Sequence, residues 1–135
     1  MNIFPTYPNT SGSYVSQRRI NKLKPKVIEI LENKQAIILK AFQQLSARYS
    51  RPPVIQLHVE EAIQKVMNAR VTGESGEMHG ESDDYRIWIP KNKANDTLLF
   101  GTLLHESLHY ICTFNGKDIC SKDEHYVMRL LGDDC

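Results

Sequence analysis

NKANDTLLFGTLLHESLHYICTF, residues 92–114, is the stretch on which the fold turns. Phe100, Leu103, Leu104, Leu108 and Ile111 cover more than one face of a helix, which predicts a buried central helix across the whole stretch. Asn95 or Asp96 can cap its first turn. Inside it, His105, Glu106 and His109 stand in the spacing H-E-x-x-H. Residues four apart on a helix lie one above the other, so the two imidazoles point the same way, about 6 Å apart. Imidazoles so placed can both reach one tetrahedral Zn²⁺, at ~2.0–2.1 Å each. Glu106 lies about 100° round the helix, where it misses the metal but can take a proton from a water that the metal acidifies. With five histidines in 135 residues, chance produces this pattern in about one such chain in a hundred.

The flanks supply the other elements. Downstream, NGKD (115–118) predicts a turn between two helices, and SKDEHYVMRLLG (121–132) a short helix capped by Ser121 and stopped by Gly132. Upstream, RVTGESGEMHGESDDYRIWIP (70–90) predicts a hairpin with ESDD as its turn; its clearest strand runs from Tyr85 to Ile89, and Pro90 marks a strand end or an edge. EEAIQKVMNA (60–69) predicts a short helix, and the β-branched alternation of VIQLHV (54–59) a strand. Val27, Ile30, Leu31, Ile38, Ala41, Phe42 and Leu45 recur at three- and four-residue steps. They predict one long helix over 25–48, opened by Pro25 and ended by SRPP at 50–53. Residues 1–24 read as a flexible N-terminal arm, the first sixteen without periodicity. The expected fold class is α+β, in one domain over 25–135. It has a long N-terminal helix, a small mostly antiparallel sheet, a central H-E-x-x-H helix and a short C-terminal helix.

Composition narrows the function. A length of 135 residues suits one domain, and 41% hydrophobic with 24% charged residues is ordinary for a globular protein. A net charge of +1 makes nucleic acid an unexpected partner, because dedicated binders carry a basic excess. Arg18, Arg19, Lys22, Lys24 and Lys26 do cluster, but no aromatic is interleaved for stacking, so they read as the solvated start of a helix. No apolar run approaches the ~20 residues of a membrane span, and the N-terminus lacks the pattern of a secretory signal, so a cytoplasmic protein is expected. Cys112, Cys120 and Cys135 are odd in number and form no C-x-x-C, which predicts free thiols.

The His105-Glu106-x-x-His109 motif resembles that of the zincin metallopeptidases, over about residues 54–132. The resemblance implies zinc as cofactor, an active helix under a small sheet, and an edge strand that binds the substrate backbone. The metzincin extension requires Gly at 112 and His at 115, where this chain has Cys112 and Asn115. A deformylase-like site places a cysteine ligand upstream, and no cysteine precedes Cys112. The chain is therefore most similar to a minimal gluzincin, in which a glutamate on the following helix completes the metal site. Glu124 shares a helix face with Val127 and Leu131, which favours it as third ligand. His125 is the alternative, which would make the chain more similar to the SprT-like proteases, and Asp123 or His79 stands behind it. With Glu124 on zinc, His125 or Tyr126 is free to stabilise the oxyanion of a peptide intermediate, with Tyr110 a further candidate. His58 reads as a strand residue.

The leading expectation is a zinc-dependent endopeptidase: metal ligands His105, His109 and Glu124, Glu106 as general base, and a peptide added along an edge strand at Tyr85 to Ile89. Trp88 would be a wall of the cleft or pack on the long helix. The competing readings are a non-catalytic zinc-binding regulatory module, and a protease acting on nucleic-acid-bound proteins.

Overall fold

The computed structural model describes residues 2–6, 12–73, 80–83 and 85–133. Among these residues the chain forms five helices and eight short strands, an α+β domain in which all strand pairings but one are antiparallel. The first long element is a pair of helices, α1 (Gln17–Asn33) and α2 (Gln35–Ser46), broken at Lys34. The expected single helix over 25–48 thus starts earlier and bends. Ser16 caps α1 by accepting a hydrogen bond from the Arg19 amide at 3.3 Å. Ile20, Leu23, Val27 and Leu31 form one buried stripe along it. Pro25 therefore lies inside the helix, where it costs ~3 kcal/mol. Four buried side chains at ~1.5–3 kcal/mol each outweigh that cost.

The N-terminal residues are not a loose arm where they are described. Ile3 and Phe4 are buried, and β1 (Ser13–Tyr14) pairs with β6 (Lys93–Ala94). The Arg19 guanidinium bridges the carbonyls of Ser13, Tyr14 and Ala94 and pairs with Asp96 at 2.7 Å. Lys24 donates to the Met67 carbonyl. Two charges of the basic stretch are thus engaged in holding the fold.

After β2 (Ile55–Leu57), α3 (Val59–Met67) follows as its sequence predicts. The next sheet has β5 (Ile87–Ile89) in the middle, parallel to β3 (Arg70–Val71) and antiparallel to β4 (Glu81–Ser82). This corrects the expectation of an edge strand from Tyr85 to Ile89. Ile87 and Ile89 are both buried, so this strand belongs between neighbours, and β3 and β4 are the edges. The turn between β4 and β5 is built on Asp83, whose carboxylate accepts from the Tyr85 and Arg86 amides and from the Trp88 indole at 2.8–2.9 Å. Those bonds hold its pKa down at about 2, the Trp88 bond foremost. Trp88 is tied to this turn, with Arg86 stacked over its ring.

The central helix α4 (Asp96–Leu108) is capped by Asn95, which accepts from the Leu98 amide at 2.8 Å. Leu99, Leu103, Leu104 and Leu108 are fully buried, and α4 packs against α1 and α3. The helix stops near His109 rather than running through Phe114. Cys112–Phe114 is instead a strand, β7, paired with β2 in the register Ile55 to Phe114 and Leu57 to Cys112. Nor is NGKD a turn between helices. Asn115 and Gly116 both have positive φ, 55° and 74°, and fold β7 back onto β8 (Lys117–Asp118). A two-residue Asn-Gly hairpin demands this backbone, whose twist matches the flanking strands. The last helix, α5 (Ser121–Leu130), packs against α2 and α4 and ends before Gly132. Cys112 and Cys120 are free thiols, and burial, followed by the nearby Glu124 charge, pushes the Cys112 thiol up to about 12. His79 and Cys135 lie outside the described residues. No helix among the described residues is long and apolar enough to cross a membrane.

Candidate metal centre

His105 and Glu106 lie on the last turn of α4, and His109 is its C-cap with helical dihedrals (φ −60°, ψ −24°). The helical spacing therefore survives to the end of the motif. The His105 and His109 Nε2 atoms face each other at 3.1 Å. Two nitrogens held ~2.0–2.1 Å from a tetrahedral centre lie ~3.3–3.4 Å apart, so little movement separates this arrangement from a metal-bound one. α5 brings a third imidazole. The His125 ring centroid is 5.2 Å from that of His105 and 5.0 Å from that of His109, and the first two are 4.9 Å apart. The three half-buried rings form a nearly equilateral triangle, with one nitrogen of each within 4.8 Å of the others, close enough to bind a metal ion.

Two carboxylates stand behind this triangle. Asp133 Oδ2 lies 2.6 Å from His105 Nδ1, and Glu124 Oε1 lies 3.2 Å from His109 Nδ1. A carboxylate on Nδ1 keeps the proton there and leaves the Nε2 lone pair directed at the centre. Three imidazoles, two of them backed by a hydrogen-bonded carboxylate, are a donor set that fits a borderline cation.

The expected third ligand, Glu124, is not among the atoms that face the centre. It is buried, as its helical phase predicts, but it reaches the outer nitrogen of His109 instead of the inner face of the triangle. On α5 it is the residue after Glu124, His125, whose ring lies against the end of α4, 5.0 Å from that of His109. His125 is thus a corner of the triangle rather than a free oxyanion donor. Tyr126 is packed against the core with Arg48 stacked 4.7 Å above its ring, away from the cleft. Asp123 accepts from the Tyr49 hydroxyl at 3.0 Å, and His58 bonds Thr113 at 3.0 Å.

The triangle opens into a cleft of about 780 Å³. Leu98, Gly101, Thr102, His105 and Glu106 of α4 form its floor; Gly80, Glu81 and Ser82 form one wall; Asp118, Ile119 and the start of α5 form the other. Glu106 is 8% exposed, with Oε2 3.8 Å from His105 Nε2. Tyr110 also lines the cleft, its hydroxyl donating to the Ser82 carbonyl at 3.5 Å. Behind it, buried Lys65 sits 3.9 Å from the Tyr110 ring and donates to the Asp83 carbonyl. Both contacts fix β4 beside the cleft. A Cβ at Gly80 would come within 2.8 Å of Thr102 Cγ2, so the wall can approach α4 this closely only at glycine.

The electrostatics follow from the crowding. Burial pulls the His109 pKa down, but the Glu124 hydrogen bond and the charges of Glu106, Glu124 and Asp133 together hold it above its ordinary 6.5. Burial raises the Glu124 pKa, and the bond to His109 opposes it. Burial lowers the His125 pKa, with the positive neighbours His109, His105 and Arg129 acting in the same direction.

Asp133, Lys65 and Gly80 have no motif to mark them. Asp133 alone left a trace in the sequence, as the residue after the Gly132 helix stop. No family model, curated protein or solved structure matches this chain.

Proposed function

We propose that this protein is a zinc-dependent peptidase on a minimal zincin plan, with His105, His109 and His125 as metal ligands and Glu106 as general base. The single observation that carries this reading is the triangle of imidazoles with a nearly buried glutamate beside it, at the floor of an open cleft. Three histidines leave a fourth tetrahedral position for substrate or water, which a purely structural zinc site would close with a fourth protein ligand. Zinc so held supplies a Lewis acid that polarises a carbonyl and brings the pKa of water to ~7.

The chain's own residues supply the rest. Glu106 accepts a proton from the attacking water and passes it to the departing amine, which is the task of a carboxylate beside a metal ligand. The Tyr110 hydroxyl lines the cleft wall, where it donates to the Ser82 carbonyl, and by turning from that bond it would donate to an oxyanion. β4, the sheet edge that lines the cleft, offers backbone groups to an extended peptide. A third histidine ligand makes the chain more similar to SprT-like proteases than to gluzincins. The test is zinc content by elemental analysis together with hydrolysis of a denatured protein substrate. Wild type should carry about one zinc per chain and cleave; Glu106→Gln should keep the metal and lose cleavage by at least ~10²-fold. A wild-type protein that takes up no zinc at neutral pH refutes the proposal.

A further inference from the structure

We propose that residues 2–4 are a positioning strap for the metal centre: they hold the turn after α5, that turn holds Asp133 on His105, and metal affinity depends on the strap. The inference rests on the metal reading above and adds a regulating contact to the same site.

The turn is a specific structure. The Gly132 amide donates to the Arg129 carbonyl at 3.1 Å and the Asp133 amide to the Met128 carbonyl at 3.0 Å, with Gly132 at φ +101°. This is the paired-bond helix stop with glycine in the left-handed region, and the residue placed where Asp133 stands normally makes an apolar contact with the last turn. Here that position carries a carboxylate. Its side chain is 1% exposed and lies 2.6 Å from His105 Nδ1. The backbone of the turn therefore sets where the acid meets the ligand.

The N-terminal residues fasten this turn from outside. Leu131 precedes Gly132, and its carbonyl accepts from the Ile3 amide at 2.8 Å and the Phe4 amide at 3.3 Å. The side chains of Ile3 and Phe4 are buried. Asn2 Oδ1 lies 2.9 Å from where a Cβ on Gly132 would sit, so the strap seats on the turn at a distance only glycine permits. Strap, turn, carboxylate and imidazole are four parts joined in series by three links. Coupling between two binding events is reciprocal. Zinc that tightens His105 on Asp133 also tightens the strap on the turn.

The test measures both directions in the full-length chain. Zn²⁺ affinity is read by chelator competition for wild type, Ile3→Pro (which deletes the shorter strap bond), Phe4→Ala, Asp133→Ala, and the double variant Phe4→Ala/Asp133→Ala. Val15→Ala, equally buried but in the β1 region, is the control for general destabilisation. Removing a partner of a ligand histidine costs 10–100-fold in metal affinity, so Asp133→Ala should lose that much and the strap variants on the order of 10-fold. Phe4→Ala should add nothing in the Asp133→Ala background, because the strap acts through that carboxylate; a merely structural effect would add in full. On wild type alone, zinc should slow amide exchange at Ile3 and Phe4, a readout that does not require any variant to fold. Zinc binding with unchanged exchange at Ile3 and Phe4, or a Phe4→Ala loss that adds in full to Asp133→Ala, overturns this inference and leaves the metal site standing. Absence of zinc binding in wild type overturns both.

Discussion

Replacing His125 by Ala and, separately, Glu124 by Gln discriminates a metal ligand from a residue that supports one. The three ring centroids are 4.9, 5.0 and 5.2 Å apart, so His125 stands in the same relation to the centre as the two motif histidines. Structural zinc sites with four ligands bind with ~10–16 kcal/mol, or ~2.5–4 kcal/mol per ligand. At ~1.4 kcal/mol per factor of ten, removing one ligand should weaken zinc by ~10²–10³-fold. Glu124 meets the outer nitrogen of His109, at 3.2 Å. Loss of such a partner costs 10–100-fold, and Gln keeps an oxygen that can still accept from Nδ1, so about 10-fold is expected. The assay is competition for Zn²⁺ with a chromophoric chelator at neutral pH, with folding of each variant checked by circular dichroism. A Glu124→Gln variant that loses more zinc affinity than His125→Ala would refute the assignment and return the third ligand to the glutamate.

The metal-free protein should lose stability as pH rises through the folded-state pKa of His109. That pKa lies above the unfolded 6.5, so the proton's contribution is full below 6.5 and is lost at higher pH, whereas zinc binds the deprotonated ring. The gap in melting temperature between loaded and metal-free protein should therefore widen from pH 6 to pH 8 in thermal scans; a constant gap contradicts it. Gly116→Ala meets no atom within 4 Å but must hold φ +74°, so it should cost ~1 kcal/mol and ~3–5 °C in melting temperature with zinc affinity unchanged. Gly132→Ala, strained at φ +101° and colliding with Asn2, should cost more and also weaken zinc. Equal effects of the two glycine variants on zinc would break the link between the C-terminal turn and the site. Lys65→Met removes a buried donor to the Asp83 carbonyl, and chemical denaturation should show a loss of ~1–3 kcal/mol.

The local placement of the motif's side chains was legible from the chain. H-E-x-x-H fixes two imidazoles and a carboxylate through helical spacing alone, and Asn95 as cap and Gly132 as stop are decided by backbone hydrogen bonding within a few residues. The α+β class followed from hydrophobic period, because a 3.6-residue stripe and a two-residue alternation bury different faces. Errors arose where long-range pairing overrode local pattern. Residues 112–114 continue an apolar run that reads as helix, yet β2 offers them a ladder, and the Asn-Gly pair that follows sets the hairpin. Pro25 reads as a helix start because its cost is local, while the burial of Ile20 and Leu23 that offsets it requires α3 and α4 to be in place.

What the sequence by itself determined, then, is the pair of histidines, the glutamate beside them and the helix that carries all three, since each depends on residues within one or two turns. That His125 joins the two motif histidines, while Glu124 meets the outer nitrogen of His109, was decided only by tertiary structure. Helical phase correctly turned Glu124 inward, but which side chain meets the inner or the outer nitrogen of His109 depends on how α5 crosses α4. That crossing is set by the packing of two separate apolar faces. Asp133 on His105, the edge position of β4 and the strap at residues 2–4 likewise exist only once distant segments meet, because a hydrogen bond between residues 28 apart in sequence leaves no periodic trace in either.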